Sequence, residues 1–343
     1  MLAEPIASVV LPYRNSEKTL ERCLNSILKQ NFTCWELLAI NDHSTDSSEE
    51  IVLRKMKSDH RIYNLKNKET GIVSALNLGL EKARGEIIIR MDSDDSMNLK
   101  RVGEQVRFLE ANPKTGLVAS KVSYISDSAE SFDGRGYALY VKWLNQVMAS
   151  NEIENHRFEE SPLAHPSVAF RKSIVLTNGG YREGDFPEDY ELWLRWLSKG
   201  ITMAKIDSVL LYWYDSPSRL SRQDKKYSQM AFQKIKAEYF SIWIRQKSMG
   251  NRKLCAWGTG KVAKKQILWL NNHGVKIEKY YEVNPKKIGS THQDSPICHF
   301  NEINSSGAEF IIILYCPRSA KYEIRKFLEN KDLKIAKDFL FLG

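Results

Sequence analysis

The sequence has few cysteines, and their spacing does not build a framework. Five cysteines are scattered through 343 residues, and none lies in a C-x-x-C pair. Structural zinc sites and disulfide-stapled folds need closely spaced or paired cysteines. The sequence therefore argues against both and indicates reduced thiols in a cytoplasmic protein.

Long hydrophobic runs are also absent. No apolar segment approaches the ~18–20 residues that span a bilayer. The first residues lead directly into a strand-like stretch without a basic region or a cleavage site, so we expect no signal peptide. We therefore expect a cytoplasmic protein whose contact with a membrane, if it has one, is peripheral at the inner face.

Positive charge is concentrated in the C-terminal part of the chain. Residues 219–343 hold 24 Lys and Arg against 11 Asp and Glu, whereas residues 1–218 hold 27 against 31. Such an asymmetry indicates contact with an anionic surface, either nucleic acid or lipid headgroups. A solvated basic surface with no partner is an equally good interpretation.

Short apolar runs alternate with amphipathic segments near the N-terminus. Residues 7–11, 35–40 and 86–91 predict buried strands, and residues 17–29 and 72–83 predict helices. This alternation is typical of a doubly wound α/β fold, in which ligands bind beyond the carboxyl ends of the strands. Later segments predict two more helices and two more strands: helices at 139–149 and 187–199, and strands at 164–171 and 209–214.

The chain divides into three predicted parts. Residues 1–218 form the first domain, and residues 253–343 form a smaller α/β domain. Residues 219–252 between them predict a basic amphipathic helical linker, which either packs against the preceding domain or lies on a membrane.

Three aspartates follow the predicted strand at 86–91. Asp92 and Asp94 flank Ser93, and Asp95 comes next. Carboxylates at a strand end can hold a hard divalent cation such as Mg²⁺ or Mn²⁺, which neutralises a departing diphosphate. Acidic turns without a metal are also common after strands, so this motif is weak when taken alone.

Two other acidic positions are candidates for chemistry. Asp42 follows the second strand, where it can accept a hydrogen bond from a base or ribose, or cap the next helix. Asp189 lies beside Glu188 at a predicted helix N-terminus, where it can act as a general base or simply complement the helix dipole. Trp193 and Trp196 can offer faces for stacking on a sugar, although core packing is the favoured explanation for one or both.

Seven motifs occur together in a characteristic order. They are S-V-V-L-P-Y-R-N at 8–15, N-D-H-S-T-D at 41–46, G-I-V-S-A-L-N-L-G-L at 71–80, R-M-D-S-D-D at 90–95, H-P-S-V-A-F-R at 165–171, G-G-Y at 179–181 and E-D-Y-E-L-W-L-R at 188–195. Over residues 6–215 this set closely resembles glycosyltransferase family 2, an inverting family with a GT-A fold. The expected fold class is therefore α/β, with a GT-A (nucleotide-diphospho-sugar transferase) domain followed by a small Rossmann-like domain.

The resemblance implies roles for individual residues. Nucleotide-sugar contacts fall to Pro12, Tyr13, Asn15, Asp42, Gly71, Asn77, Asp92, Ser93 and Asp94, and Asp92 and Asp94 would also bind the metal. Asp189 matches the catalytic base, and the acceptor or diphosphate side matches His165, Arg171, Glu188 and Trp193. The chain departs from the family at Leu76, where many members have arginine. That departure puts one nucleotide contact in doubt, with Arg90 or Lys68 as candidate replacements.

The reaction implied by the resemblance is a single displacement with inversion. A nucleotide sugar, expected to be a UDP-sugar, would donate a hexosyl or N-acetylhexosaminyl group to an acceptor hydroxyl that Asp189 deprotonates. Mn²⁺ or Mg²⁺ at Asp92 and Asp94 would hold the leaving nucleoside diphosphate. We expect the acceptor to be a saccharide or lipid-linked glycan of the cell envelope.

The C-terminal part carries a glycine-rich turn. Gly258-x-Gly260-x-x-Ala263 follows a predicted strand, and Glu282 lies where a dinucleotide-binding fold places its ribose-binding acid. Only three strands are predicted here, about half of a full dinucleotide-binding domain. We therefore expect a structural or acceptor-binding module and consider NAD unlikely as a cofactor.

A looser resemblance extends through this part. W-G-T-G-K at 257–261, Y-E-V-N-P-K-K-I at 281–288, S-P-I-C-H-F at 295–300 and D-F-L-F-L at 338–342 are similar to β-1,3-N-acetylglucosaminyltransferase-like proteins, a group that includes queuosine-tRNA galactosyltransferase. This implies an alternative acceptor, a modified nucleoside in tRNA, with basic residues contacting phosphates. A non-catalytic nucleotide-sugar or dinucleotide-binding protein is a third alternative. The donor sugar, linkage and oligomeric state stay open.

Overall fold

A computed structural model describes residues 4–126, 134–217 and 219–343. The chain forms two compact units. Unit 1 contains Met1–Ile153, Pro162–Gly184 and Glu188–Asp224, and unit 2 contains Glu154–Ser161, Asp185–Pro187 and Lys225–Gly343. The three-part division with boundaries at 218 and 252 stays a prediction.

Strands and helices alternate through the N-terminal two thirds of the chain. They are β1 (Ala7–Tyr13), α1 (Leu20–Leu28), β2 (Trp35–Asn41), α2 (Ser48–Ser58), β3 (Ile62–Lys66), α3 (Ile72–Lys82), β4 (Ile87–Arg90), β5 (Ser96–Met97), α4 (Arg101–Ala111), β6 (Thr115–Ser126), α5 (Arg135–Leu144), α6 (Ser150–His156), β7 (Ala169–Arg171), α7 (Lys172–Asn178), α8 (Glu188–Ser198), β8 (Thr202–Asp215) and α9 (Leu220–Gln223). The expectation of an α/β domain is confirmed.

The sheet of unit 1 has eight strands in the order β3-β2-β1-β4-β7-β6-β8-β5. The block β3-β2-β1-β4 is parallel, so the carboxyl ends of its strands share one edge. Strands β1, β2 and β4 are buried along their whole length, which explains their continuous apolar sequences. Beyond β4 the sheet becomes mixed, because β7 pairs antiparallel with both β4 and β6.

Close packing holds the flanking helices on this sheet. A Cβ atom added at Gly79 of α3 would lie 2.5 Å from a side-chain methyl of Val10 on β1, so only glycine allows this approach. On α8, the Trp196 ring lies edge-on to Phe170 of β7 at 5.2 Å between centroids. Apolar surface from both elements is thereby removed from water.

Three local predictions differ from the structure. The helix predicted at 139–149 ends earlier, because the Asn145 side chain pairs with both backbone groups of Val122 on β6. The strand predicted at 164–171 begins only at Ala169, after a 3₁₀ turn at His165–Ser167 whose Pro166 cannot donate to a ladder. Strand β6 was not predicted, since polar residues interrupt its apolar pattern.

Unit 2 is built around a second sheet. Its elements are α10 (Gln229–Gln246), β9 (Lys253–Trp257), α11 (Lys261–Asn272), β10 (Lys279–Glu282), β11 (Thr291–His292), β12 (Ser295–His299), β13 (Glu309–Ile313), α12 (Arg318–Glu329) and β14 (Phe339–Phe341). Strands β12-β10-β9-β13-β14 are parallel and lie in that order. The prediction of three strands was wrong, because polar residues interrupt β12 and β14 has only three residues.

A helix must be long and apolar to cross a bilayer. Within the residues that the structure describes, every helix is too short or too polar to cross a bilayer.

Candidate active site

The predicted site residues gather at the carboxyl edge of the parallel block. Tyr13 at the end of β1 pairs with Asn41 at the end of β2, and Val10 pairs with Arg90 at the end of β4. The polar segments that follow these strands therefore start side by side. This is the edge where open α/β sheets bind ligands.

The segment after β4 forms an acidic cluster of Asp92, Asp94 and Asp95. One carboxylate oxygen from each lies within 4.8 Å of the others. Asp95 is fully buried; its Oδ1 accepts a hydrogen bond from the Tyr214 N–H at 2.9 Å, and its Oδ2 has no hydrogen-bond partner among the described residues. Burial raises the pKa of Asp95 well above its usual range and also raises that of Asp94. Three converging carboxylates fit the oxygen preference of Mg²⁺ or Mn²⁺.

Arg219 lies over this cluster, and sequence reasoning missed it. Its nitrogens are 3.7 Å from Asp92 Oδ2, 3.9 Å from Asp94 Oδ2 and 3.7 Å from Asp95 Oδ1. Its side chain is 9% exposed. The residue stands 124 positions after Asp95, outside the family motifs, and it was counted only as part of a basic segment.

Arg90 lies between the acidic cluster and the segment around Asp189. Its side chain is 3% exposed, and Nη1 forms an ion pair with Asp92 Oδ1. Its Nε has no hydrogen-bond partner among the described residues. Asp92 and Glu188 both act electrostatically to raise the pKa of Arg90. The guanidinium is therefore charged and buried, and it interacts with both Asp92 and Glu188.

Asp189 is the candidate base, and its surroundings favour the protonated form. Burial raises the pKa of Asp189 to about 7, with a further contribution from the neighbouring charge of Glu188. A hydrogen bond from the Tyr190 N–H to Asp189 Oδ1 at 2.7 Å and the charge of Arg90 act in the opposite direction. A carboxylate with a pKa near neutrality is suited to accept a proton at working pH.

His165 lies in the same part of unit 1 and is neutral. Burial and the Arg90 charge lower its pKa well below the usual range. Its Nε2 shares a 2.7 Å hydrogen bond with Tyr181 Oη. Tyr181 was not among the predicted site residues; the G-G-Y motif was the signal that contained it.

Asp42 is held in place by the protein itself. Its Oδ1 accepts hydrogen bonds from Asn67 Nδ2 at 2.8 Å and from the Gly71 N–H at 3.0 Å. Gly71 has φ +134°, a conformation that strains any residue with a side chain. The carboxylate thus fixes the start of α3 beside the strand edge.

The other predicted nucleotide contacts surround the same edge. Tyr13 donates a hydrogen bond to Asn64 Oδ1 at 2.8 Å, and Asn15 Oδ1 accepts one from the Thr45 N–H at 2.8 Å. Ser93 Oγ lies 2.8 Å from Ser16 Oγ. Pro12 is buried within β1, where it pairs with Ile40.

Three predicted site residues, Arg171, Trp193 and Asn77, contact backbone groups or the core of unit 1. Arg171 pairs with Ile87 at the start of β4, the end opposite to Asp92, and donates to the carbonyls of Thr115 and Leu109 at 3.0 and 2.6 Å. Its role on the acceptor or diphosphate side stays a prediction, and the structure places Arg171 at the end of β4 opposite to Asp92.

Trp193 and Asn77 also make contacts within the fold. Trp193 is fully buried, with its ring 5.9 Å from that of His165, so it offers no face to a sugar. Asn77 exchanges two hydrogen bonds with the backbone of Tyr181, and its contact with a nucleotide stays a prediction. Side-chain direction, which sequence motifs do not report, determines both sets of contacts.

The glycine-rich turn of unit 2 is closed by its own acid. Glu282 Oε2 accepts hydrogen bonds from Thr259 Oγ1 at 2.5 Å and from Lys287 Nζ at 3.1 Å. The Glu282 carboxylate thereby tethers the turn between Gly258 and Gly260 to the end of β10.

Residues 8–176 match the model of Glycosyl transferase family 2. Among similar proteins, the amylovoran biosynthesis glycosyltransferase AmsE of Erwinia amylovora is 29% identical over 60% of this chain and 74% of its own length. The UDP-Gal:alpha-D-GlcNAc-diphosphoundecaprenol beta-1,3-galactosyltransferase of Escherichia coli is 29% identical over 66% of this chain and 78% of its own length.

Solved structures share the fold. S. aureus TarS 1-349 in complex with UDP-GlcNAc aligns with a TM-score of 0.53 at 16% identity, covering 78% of this chain and 71% of that one. The mannosyltransferase PcManGT from Pyrobaculum calidifontis, in complex with GDP-Man and Mn²⁺, aligns with a TM-score of 0.50 at 16% identity, covering 80% and 70%. The solved structures show that the fold is GT-A, and the match of residues 8–176 to glycosyl transferase family 2, together with the named relatives, shows that the chain is a glycosyltransferase.

Proposed function

We propose that the protein transfers a sugar from a nucleoside diphosphate sugar to a hydroxyl group of a cell-envelope glycan, with inversion at the anomeric carbon. The observation that carries the proposal is the arrangement of Asp189 and Asp92 around the buried Arg90. Both carboxylates interact electrostatically with its guanidinium. Their shared interaction with Arg90 supports a base and a diphosphate-binding group that act on one substrate.

Asp189 supplies the base chemistry in this proposal. With a pKa of about 7, its carboxylate is substantially ionised at neutral pH and can accept the acceptor's hydroxyl proton. The acceptor oxygen then attacks the anomeric carbon as the nucleoside diphosphate leaves from the opposite face. One displacement inverts the configuration, and no covalent enzyme intermediate is formed.

Asp92 and Asp94, with Asp95 beside them, are the residues that would hold a divalent cation. Their converging oxygens fit Mn²⁺ or Mg²⁺. Such an ion supplies charge neutralisation at the diphosphate. The presence of Mn²⁺ in the complex of PcManGT supports this part of the proposal.

A UDP-sugar is the donor that the comparisons favour. The galactosyltransferase of Escherichia coli is named for UDP-Gal, and the TarS complex contains UDP-GlcNAc. Asp42, Tyr13 and Asn15 line the strand edge next to the acidic cluster. We assign them to the base and ribose, with the diphosphate toward Asp92.

A lipid-linked or polymeric envelope saccharide is the acceptor that the relatives favour. One relative is named for amylovoran biosynthesis and another for a diphosphoundecaprenol acceptor. The excess of Lys and Arg in residues 219–343 suits peripheral contact with an anionic membrane surface. None of the relatives named above has a name that mentions tRNA, so the tRNA acceptor has no support from them.

A donor screen tests the proposal. The purified protein is incubated with Mn²⁺ and with UDP-Glc, UDP-Gal, UDP-GlcNAc or GDP-Man, and release of the nucleoside diphosphate is measured with membrane lipid extract or with bulk tRNA. We expect release from a UDP-sugar that depends on the lipid extract and stops with EDTA. Proton NMR of the product should show the anomeric configuration opposite to that of the donor. Retention of the donor's anomeric configuration would contradict the proposal. Release of nucleoside diphosphate that depends on tRNA alone would contradict it as well.

A further inference from the structure

Arg219 neutralises the acidic cluster without forming hydrogen bonds to it. Its three nitrogens lie 3.7–3.9 Å from one oxygen each of Asp92, Asp94 and Asp95. Those separations are within ion-pair range but longer than hydrogen bonds. Asp92 Oδ2 and Asp94 Oδ2 therefore accept no hydrogen bond from Arg219 and can take a stronger partner.

The main chain at the end of β8 holds Arg219 in this position. Its Nη1 donates a 2.6 Å hydrogen bond to the Tyr214 carbonyl, and the guanidinium lies 4.9 Å from the Trp213 ring. The Tyr214 N–H in turn donates to Asp95. Arg219 and the cluster are thus fixed to the same short segment of strand.

We propose that Arg219 is the internal counter-ion of the acidic cluster and that it couples the binding of a divalent cation to the binding of the nucleoside diphosphate. The inference rests on the proposed function, because it needs a metal at Asp92 and Asp94. A divalent cation bound there alone meets the positive charge of Arg219 a few ångströms away. Its affinity is therefore reduced in the absence of nucleotide.

A bound diphosphate would offset the repulsion between Arg219 and the divalent cation. Its negative charges attract both the divalent cation and Arg219, so the guanidinium gains a partner as the metal takes over the carboxylates. Each ligand consequently strengthens the binding of the other, which is the definition of positive coupling between two sites. Arg219 lies between β8 and α9, in a connecting segment of the kind that commonly carries ligand contacts.

Arg222 provides a matched control. It lies three residues farther along, and its Nη2 is 2.5 Å from Asp215 Oδ2, a carboxylate outside the acidic cluster. Arg222→Gln therefore removes the same charge from the same segment without touching Asp92, Asp94 or Asp95. Arg219→Gln removes the counter-ion, and Arg219→Lys retains its charge.

The test is a thermodynamic cycle with Mn²⁺ and UDP. Free Mn²⁺ is measured by electron paramagnetic resonance with and without UDP, after allowance for the Mn²⁺–UDP complex in buffer. UDP affinity is measured by calorimetry with and without Mn²⁺, and thermal melting verifies that each variant is folded. GDP serves as a second probe.

For the wild type we expect each ligand to tighten the other about 10-fold or more. Arg219→Gln should bind Mn²⁺ alone more tightly, bind UDP more weakly and show weaker coupling, because only the direct attraction between Mn²⁺ and the diphosphate remains. Arg219→Lys should keep more of the coupling, and Arg222→Gln should keep all of it. Unchanged coupling in a folded Arg219→Gln protein would overturn this inference and leave the proposed function standing. If the wild type binds no Mn²⁺ with either nucleotide, the metal site fails, and this inference fails with it.

Discussion

Asn77 and Tyr181, which are 104 residues apart, exchange two hydrogen bonds. Asn77 Nδ2 donates to the Tyr181 carbonyl at 2.9 Å, and the Tyr181 N–H donates to Asn77 Oδ1 at 3.0 Å. The pair ties α3 to the loop before α8. Through Tyr181 Oη, this loop also orients His165 beside the candidate active site.

Asn77→Ala should destabilise the fold without abolishing nucleotide binding. Two backbone groups of Tyr181 lose their partner, which costs about 1–3 kcal/mol. Urea denaturation measures the loss, and Asn112→Ala is the control because the Asn112 side chain bonds only the carbonyl of Phe108 in its own helix. A large drop in UDP affinity with unchanged stability would instead restore the nucleotide contact predicted from the sequence.

The rate of sugar transfer should fall as the pH drops through about 7. Asp189 must be ionised to accept a proton, and its pKa is raised to about 7 by burial and by Glu188. In the free enzyme this group governs the acid limb of kcat/KM. A profile that stays flat down to pH 5 would show that Asp189 is not the base.

The same pKa predicts how stability depends on pH. The pKa of Asp189 is higher in the folded protein than in the unfolded chain, so the unfolded chain releases the proton first as pH rises. The group therefore destabilises the fold increasingly from about pH 4 to pH 7. Asp189→Asn should raise the melting temperature more at pH 8 than at pH 5. An equal gain at both pH values would contradict the raised pKa.

Arg90 should keep the pKa of Asp189 from rising further. Its positive charge favours the ionised carboxylate. Arg90→Met should move the acid limb of kcat/KM upward by about one unit, whereas Arg90→Lys should move it less. An acid limb that stays where it is in Arg90→Met would show that the charge of Arg90 does not reach Asp189.

The sequence predicted well those residues whose positions follow from local structure. Asp92 and Asp94 follow the apolar strand β4, so the strand pattern alone predicts that they lie at the carboxyl edge. Asp189 lies in the first turn of α8, and its place in the site was implied by the family resemblance. Their chemical roles stay predictions.

Other positions depend on tertiary contacts that no local pattern reports. Arg171 also lies at the end of a strand, but β7 runs antiparallel to β4, which takes this residue to the opposite edge of the sheet. Trp193 lies on the buried face of α8, although an exposed face would give the same helical spacing. Arg219 reaches the acidic cluster only because β8 ends beside Asp95.

The most direct test of the proposed function is the turnover of Asp189→Asn, compared with wild type and with Asp185→Asn at an exposed carboxylate four residues earlier. Transfer from the preferred donor is measured at pH 8 with saturating Mn²⁺, and UDP binding is measured in parallel. We predict that kcat of Asp189→Asn falls about 10²–10⁴-fold while UDP affinity and the activity of Asp185→Asn stay close to wild type. Turnover of Asp189→Asn within a few-fold of wild type would contradict the assignment of Asp189 as the base.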